Sequence, residues 1–243
     1  MSRRSAPNAR APRLRIWRLL RLLTWFCGAL VALTIIWVMI YAVTPPPRTA
    51  LMLIRSADGA ETTWRWVKWE EISPHLVRAV IAAEDSQFCR HNGFDWEAIE
   101  AAMERNDEGE RLSGGSTISQ QTAKNVFLWP NRTWLRKGLE AWFTLLIEFL
   151  WPKQRILEVY LNVVEWGNGV YGAEAAAHHW FHKSSDQLST VEAARLAVIL
   201  PNPRHWSPTA LKPSLTRRVA TIQKGMEFLA HGNQATCVFK QKQ

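Results

Sequence analysis

Acidic side chains are absent from the first 57 residues of the chain, because the first one is Asp58. Arginine is abundant there instead, with seven residues within the first 21. The whole chain has 30 Lys and Arg against 21 Asp and Glu, but without these seven arginines the counts are 23 and 21. Most of the formal charge of +9 therefore belongs to the N-terminus, and the near-neutral remainder argues against nucleic acid as a partner.

Charged residues of either sign are absent from residues 22–43. A helix of this length is about 33 Å long, which is enough to cross the hydrocarbon core of a bilayer. A cleaved signal peptide is the alternative, but its apolar stretch is shorter, about 7 to 15 residues, and ends in a small-residue cleavage site that this sequence lacks. The segment is therefore predicted to span a membrane. The arginines before it, against the single Arg48 soon after it, predict a cytoplasmic tail at residues 1–21 and an exported remainder.

Internal repeats, low-complexity tracts and an excess of glycine or proline are also missing. Gly and Pro number 12 each and 47% of the residues are hydrophobic, which argues against a disordered or fibrous protein and favours one globular domain. Cysteine is scarce: Cys27 lies in the predicted span, whereas Cys89 and Cys237 lie in the exported part. Sequence gives no distance between the last two, so it leaves open whether they form a disulfide.

The region after the predicted span contains a proline-rich spacer and a turn. Residues 44–47, TPPP, form a stiff extended linker. Two segments, residues 51–54 and 62–69, flank the turn Asp58-Gly59 and predict a small hairpin. The expected layout is a basic tail at 1–21, a transmembrane helix at 22–43, a linker with the start of the hairpin at 44–60, and a globular domain at 61–243.

From Ser73 onward the apolar residues recur at helical spacing, so the domain is predicted to be mainly α-helical. Ser73 is an N-cap followed by Pro74 at the first helical position, and Ser189 with Glu192 forms a capping box. Helices are expected to begin at Pro74 and to cover residues 134–150, 154–164, 171–181, 189–200 and 215–229, the last one closed by Gly232.

Glu84 continues the apolar stripe of the first of these helices, because it lies four residues after Val80 and three after Ile81. Burial of an ionised carboxylate is costly, and it raises the pKa toward the range in which a base exchanges protons near neutral pH. The alternative is an ordinary Glu that its neighbours cap at a helix end. Periodicity alone leaves both interpretations open.

The string around Glu84 carries a family motif. Residues 84–93 read EDSQFCRHNG and fit the pattern E-D-x-x-F-x-x-H-x-G. On this motif, and on three others that follow in the same order, the chain resembles the peptidoglycan glycosyltransferases, which also occur as the polymerase half of bifunctional penicillin-binding proteins. The resemblance extends over residues 60–210 and implies that Glu84 is the catalytic base and that Asp85 belongs to the substrate site.

The second motif is GGSTISQQTAKN at residues 114–125. Its glycines allow close backbone approach to a ligand, and Ser116 or Thr117 can cap the helix that follows. One face of that helix then offers a cation and two amides to a pyrophosphate and to sugar hydroxyls. A flexible loop before an ordinary polar helix is the alternative. The resemblance implies that substrate is bound by Ser116, Gln121, Lys124 and Asn125.

The third motif is RTWLRKGLE at residues 132–140. By spacing alone, Arg136 and Glu140 could form a plain surface salt bridge worth a few tenths of a kcal/mol. The resemblance instead implies that Glu140 is the second active-site carboxylate. It also implies a cationic cradle that stabilises charge on the leaving pyrophosphate, formed by Lys124, Arg132, Arg136 and Lys137.

The fourth motif is KQRILEVYLN at residues 153–162, followed by Gly167 and Gly172. Most of it is predicted to be core, since Ile156, Leu157, Tyr160 and Leu161 recur at helical spacing, whereas Glu158 and Asn162 are expected to brace the cleft. About 30 residues follow the region of resemblance, too few for a transpeptidase domain, so the similarity is to the monofunctional enzymes.

The resemblance implies a lysozyme-like helical domain with a small hydrophobic lobe that dips into the membrane. That lobe is expected to include residues 126–129 and part of 134–151. An aromatic and apolar surface is predicted there, formed by Phe127, Leu128, Trp129, Trp142, Phe143, Leu146, Phe149 and Trp151.

The implied reaction polymerises lipid II into β-1,4-linked glycan strands, with inversion at the anomeric carbon and release of undecaprenyl pyrophosphate. A divalent metal such as Mg²⁺ or Mn²⁺ is implied beside Glu140, with no ligands assigned and with no organic cofactor. The expected partners are lipid II, the growing lipid-linked glycan, membrane lipid and other proteins of cell-wall synthesis or division, on the outer face of the cell inner membrane.

Two other classes of function remain open. A hydrolase or lytic enzyme of similar fold would also need one buried Glu, but it would need no cationic cradle for pyrophosphate. A non-catalytic scaffold of the cell-wall machinery would tolerate the loss of Glu84.

Overall fold

The computed structural model describes residues 11–107, 115–131, 133–231 and 234–239. The arginines up to Arg10, the glycines Gly114 and Gly232, and Arg132 lie outside these ranges. The chain divides into two units, residues 1–43 and 44–243.

The first unit contains one helix, α1 (Ala11–Val43). Its segment Ile16–Val43 is 28 residues long and apolar enough to cross a membrane by length and composition. Large apolar side chains such as Leu22, Trp25 and Phe26 are exposed along it. These residues would be unfavourable in water, so this helix needs an apolar environment.

The predicted hairpin is wrong. Residues 50–57 form helix α2 (Ala50–Ala57), which the Thr49 hydroxyl caps by accepting a hydrogen bond from the Met52 amide. Strand β1 (Thr63–Trp64) pairs in parallel with β3 (Val170–Tyr171), which pairs antiparallel with β2 (Glu165–Gly167). The apolar run at 51–54 was short enough to fit a helix or a strand, and the N-cap decides for the helix.

The second unit is otherwise helical, as predicted. Ser73 caps helix α3 (Pro74–Glu84) through its hydroxyl. Ser189 with Glu192 forms the predicted capping box of helix α9 (Thr190–Ile199). The helix predicted at 171–181 begins at Ala173, because Val170 and Tyr171 belong to β3. The helices are α3 (Pro74–Glu84), α4 (Trp96–Asp107), α5 (Ile118–Phe127), α6 (Trp134–Leu150), α7 (Lys153–Val163), α8 (Ala173–Phe181), α9 (Thr190–Ile199) and α10 (Pro213–His231).

Two groups of helices position the site. Helix α3 packs against α9 and α10, and α5 packs against α6 and α7. Gly225 of α10 lies directly on Ala82 of α3, where a Cβ atom at Gly225 would come within 2.9 Å of the alanine Cβ. A glycine at this position therefore allows α10 to lie close to the C-terminal end of α3.

The predicted apolar surface is correct for only part of the set. Phe127, Leu128, Phe143 and Trp151 are buried, and the rings of Phe127 and Phe143 stack with centroids 4.5 Å apart. They form the interior of the α5–α6 pair, because α5 covers that face of α6. The exposed apolar side chains of this region are Trp129, Trp134, Leu135, Leu145 and Phe149, with Trp134 and Phe149 the most exposed at 93% and 87%.

Cys89 and Cys237, whose pairing the sequence left open, form a disulfide. The Arg90 guanidinium donates to the Gln234 side-chain oxygen at 2.6 Å. The ring of Phe239 lies against Trp69, and the Arg78 guanidinium lies 4.7 Å from its centroid. The C-terminal segment is therefore attached to the loop that follows α3.

Candidate active site

Glu84 is the last residue of α3, and its carboxylate is half-buried beside α5. The Gln121 amide donates a hydrogen bond to Glu84 Oε2 at 2.8 Å. Gln121 is oriented in turn by the Tyr160 hydroxyl, which donates to its Oε1 at 3.1 Å. The tyrosine leaves the amide nitrogen of Gln121 facing Glu84, so the position of the carboxylate is fixed from two helices.

Burial raises the pKa of Glu84 above its usual value of 4.5. The hydrogen bond from Gln121 and the charges of Arg218 and Lys124 act in the opposite direction but do not cancel the effect of burial. A carboxylate with a raised pKa takes up a proton more readily, which is the property needed in a general base.

Asp85 is buried, and both of its oxygens accept hydrogen bonds. The Ile118 amide at the start of α5 donates to Oδ2 at 2.9 Å, and His91 Nε2 donates to Oδ1 at 2.8 Å. His91 Nδ1 accepts from the Gly93 amide at 3.1 Å, which assigns the ring proton to Nε2. These bonds join the loop after α3 to α5, and the predicted role of Asp85 in the substrate site stays a prediction.

A cavity of about 320 Å³ contains most of the other predicted site residues. Glu140 lines this cavity and pairs with two cations. Its Oε2 lies 2.7 Å from Arg136 Nη1, and its Oε1 lies 2.5 Å from Lys137 Nζ. Arg136 and Glu140 are buried, so theirs is not a plain surface salt bridge. The predicted residues that line this cavity are Ser116, Gln121, Lys124, Asn125, Arg136, Lys137 and Glu140.

The cavity has an excess of positive charge. Lys124, Arg136 and Lys137 meet the single carboxylate of Glu140 there. Burial lowers the pKa of Lys124 below 10.5. The buried Arg136 Nε forms no hydrogen bond to any described residue. An anion with several oxygen atoms would therefore satisfy both the charge and the free donor.

A smaller cavity of about 160 Å³ connects Glu84 to this cationic cavity. Glu84, Asp85 and Gly115 line it, and Ser116 lines both. Gln121 lines the cationic cavity and donates to Glu84, so the carboxylate lies beside that cavity. Arg132, the remaining predicted member of the cradle, lies outside the described residues.

The described residues do not fit a metal site built from protein ligands alone. Both oxygens of Glu140 already accept from cationic side chains. No group of three or more His, Cys, Asp or Glu side chains that could hold a metal lies within the described ranges.

Several residues with a role in the geometry did not stand out in the sequence. Tyr160 belongs to the core, as predicted, but its hydroxyl also orients Gln121. Arg218 lies outside every motif, and its charge acts on Glu84 from α10. Arg218 lies seven residues before Gly225, which is two helical turns, so both residues are on the same face of α10. This spacing is the one sequence signal that could have identified Arg218.

The fourth motif braces its surroundings. Lys153 Nζ donates to the His91 carbonyl at 2.7 Å and to Glu148 Oε1 at 2.8 Å, and Glu148 also accepts from the Ser119 hydroxyl. Glu158 and Asn162 hold the segment before α3 by accepting from the backbone amides of Trp69 and Val67. The motif thus holds both the loop after α3 and the segment before α3 in position.

Comparison with known proteins assigns the chain to a family. A family model described as transglycosylase matches residues 52–227. The biosynthetic peptidoglycan transglycosylase of Rhodospirillum centenum is 53% identical over 222 residues, which cover 91% of this chain and 96% of that protein. The protein of the same name from Caulobacter vibrioides is 50% identical over 224 residues, which cover 91% of this chain and 97% of that protein. The one from Stutzerimonas stutzeri is 51% identical over 220 residues, which cover 87% of this chain and 88% of that protein. This chain therefore belongs to the transglycosylase family of glycosyltransferases.

Proposed function

We propose that the protein polymerises lipid II into β-1,4-linked peptidoglycan strands and releases undecaprenyl pyrophosphate. The observation that carries this proposal is the connection of a half-buried carboxylate, Glu84, to a cavity with three cations. The names of the relatives supply the class of product, since they are peptidoglycan transglycosylases. The cations beside Glu84 support a pyrophosphate-linked donor, and lipid II is the donor and acceptor that we propose.

Glu84 acts as the general base of this reaction. The 4-hydroxyl oxygen of the acceptor attacks the anomeric carbon of the donor, a new C–O bond forms, and the hydroxyl proton passes to the Glu84 carboxylate. The bond from the anomeric carbon to the pyrophosphate breaks on the opposite face, so an α-linked donor gives a β-linked product. Gln121, fixed by Tyr160, keeps the carboxylate aimed at the acceptor.

The cationic cavity stabilises the leaving pyrophosphate. Negative charge grows on the bridging oxygen as the bond breaks, and Lys124, Arg136 and Lys137 face that charge. Glu140 pairs with two of these cations and holds them in place, so its contribution here is positional.

The membrane placement follows from the same chain. Helix α1 is long enough to span a membrane, and the arginines before it and in its first turns favour a cytoplasmic N-terminus. The Cys89–Cys237 disulfide favours an oxidising compartment for the second unit. We infer that the protein is a single-pass protein of the inner membrane with its catalytic domain in the periplasm, where lipid II is exposed.

The deciding experiment incubates the purified full-length protein with lipid II in detergent and separates polymer from monomer. We expect polymer from the wild type. Lys137→Ala should lower the rate about a hundredfold, because a cation facing the developing charge is lost. Its melting temperature should hardly change, since the Lys137 side chain is 46% exposed.

Lys224→Ala is the matched control, because Lys224 is an exposed lysine of α10 that lines none of these cavities. Normal polymerisation by Lys137→Ala would contradict the cationic cradle. Cleavage of finished glycan without polymer formation would favour the hydrolase alternative. An inert protein that binds lipid II would favour the scaffold.

A further inference from the structure

A third cavity, of about 460 Å³, shares no lining residue with the cationic cavity. It is built by the loop after α3 and by the first residues of α4, and neither the motifs nor the proposed chemistry assigns it a ligand. Its lining consists of Gln87, Arg90, His91, Asn92, Phe94, Asp95, Trp96 and Glu97.

This cavity, which we call the loop cavity, is connected to the active site. Asp95 lines both the loop cavity and the small cavity that contains Glu84. Ser116 lines both that small cavity and the cationic cavity. The small cavity at Glu84 is therefore a neighbour of both the cationic cavity and the loop cavity. A chain-like ligand that reacts at Glu84 can extend into the loop cavity.

The loop cavity has an aromatic wall. The rings of Phe94 and Trp96 stack with centroids 5.7 Å apart and planes at 26°. Trp96 is 71% exposed, although it stands at the start of a helix next to the site. A large ring held in solvent beside a site is typical of a binding surface. The C–H face of a pyranose ring is flat, apolar and similar in size, so it can pack on this wall.

The polar groups of the loop cavity suit an uncharged, hydroxyl-rich ligand. The side-chain amides of Gln87 and Asn92 form no hydrogen bond to any described residue, so both can donate and accept. Arg90 is the one Lys or Arg of this lining, which also contains the carboxylates of Asp95 and Glu97. Unlike the cationic cavity, the loop cavity therefore offers no surplus positive charge to a pyrophosphate.

The wall of this cavity is held in place before any ligand arrives. The Cys89–Cys237 disulfide and the bond from Arg90 to Gln234 fix the loop to the C-terminal segment. The bond from His91 to Asp85 fixes it to the active site. Asp95 Oδ1 accepts from the Ala98 amide and so holds the start of α4. A site prepared in this way loses little conformational entropy on binding.

We propose that the loop cavity is a sugar-binding subsite that holds N-acetylated pyranose units next to the reacting ring, with Trp96 as its stacking platform. The inference rests on the proposed function, because glycan is the substrate expected at Glu84. The sugar units can belong to the acceptor lipid II or to the growing strand. The chemistry of recognition is the same for both.

The first test measures binding without catalysis. Full-length protein in detergent is titrated with the uncharged tetramer of N-acetylglucosamine, which has neither lipid nor pyrophosphate, and saturation-transfer NMR gives the Kd. We expect Trp96→Ala to raise the Kd at least tenfold and Trp96→Tyr to retain most of the affinity. Phe228→Ala is the matched control, because Phe228 is an exposed aromatic residue of α10, 63% accessible, that lines none of the three cavities.

The second test identifies the source of the sugar. The rate of coupling two lipid II molecules is compared with the rate of extending a lipid-linked tetrasaccharide. If Trp96→Ala slows both reactions, the acceptor occupies the loop cavity, and if it slows only extension, the growing strand does. Unchanged tetramer binding together with unchanged rates would overturn the subsite.

These outcomes separate the two proposals. A wild-type protein that makes no polymer refutes the proposed function, yet its tetramer binding still reports on the subsite. Conversely, polymerising protein whose Trp96→Ala variant behaves like wild type refutes the subsite alone. Because Trp96 is exposed, a melting temperature equal to that of the wild type should confirm that the variant is folded.

Discussion

At the scale of single residues, the proposed mechanism depends on the proton affinity of Glu84. Its pKa is raised by burial, so the acidic limb of kcat/KM against pH should have its midpoint above 4.5. The basic limb should have a midpoint below 10.5, because burial lowers the pKa of Lys124 and its charge is needed for the pyrophosphate. Glu84→Gln should keep the fold and abolish polymerisation, since the amide cannot accept the proton.

The same raised pKa predicts a stability effect with a definite sign. Folding favours the protonated form of Glu84, so its contribution to stability is fully present below its unfolded pKa and is lost as the pH rises through the folded pKa. Glu84→Gln is neutral at every pH. It should therefore melt at a higher temperature than the wild type at pH 8, and the difference should shrink toward pH 4. A variant that melts lower than the wild type at pH 8 would contradict the burial of a destabilised charge.

At the scale of elements, the C-terminal segment is attached through Cys89–Cys237, which closes a loop with a sequence separation of 148 residues. Such a bond restricts the unfolded chain and stabilises the fold by about 2–4 kcal/mol. Reduction with dithiothreitol should lower the melting temperature of the wild type. It should do the same for the control variant Cys27→Ser, because Cys27 is a free cysteine outside the disulfide. The double variant Cys89→Ser/Cys237→Ser should melt at a lower temperature than the wild type. Reduction should not change the melting temperature of this variant further. A wild type that is indifferent to reduction would mean that the bond does not contribute.

Elements with local signals were predictable and those with distant partners were not. Helices α3 and α9 could be located because Ser73-Pro74 and Ser189 with Glu192 act within one turn. Strand β1 pairs with β3, more than 100 residues away, and nothing local marks that partner. The disulfide needed a distance that only the fold provides. The convergence of Glu84 with Lys124, Arg136 and Lys137 was predictable from the family motifs, whereas the loop cavity depends on how α4 follows the loop.

At the scale of the whole molecule, the exposed apolar side chains of α6 predict that the second unit binds to a lipid surface. Only the residues that α5 leaves uncovered, Trp134 and Phe149 above all, form the exposed surface. This could not be predicted from aromatic content alone, because α6 has apolar residues on both faces. Burying one such side chain in a membrane interface stabilises by roughly 1.5–3 kcal/mol. Two of them are therefore predicted to hold the second unit against the bilayer in which we propose that lipid II lies.

The double variant Trp134→Ser/Phe149→Ser tests this role of the exposed surface. On lipid II in phospholipid vesicles, its polymerisation rate should fall at least tenfold, because the domain no longer docks where the lipid-linked substrate lies. In detergent the rate should stay near that of the wild type, since the substrate is then carried to the site in micelles. Phe228→Ser, which removes an exposed aromatic side chain from α10, should behave as wild type in both media. Equal loss in vesicles and in detergent would indicate that the two residues support the active site and do not bind the membrane.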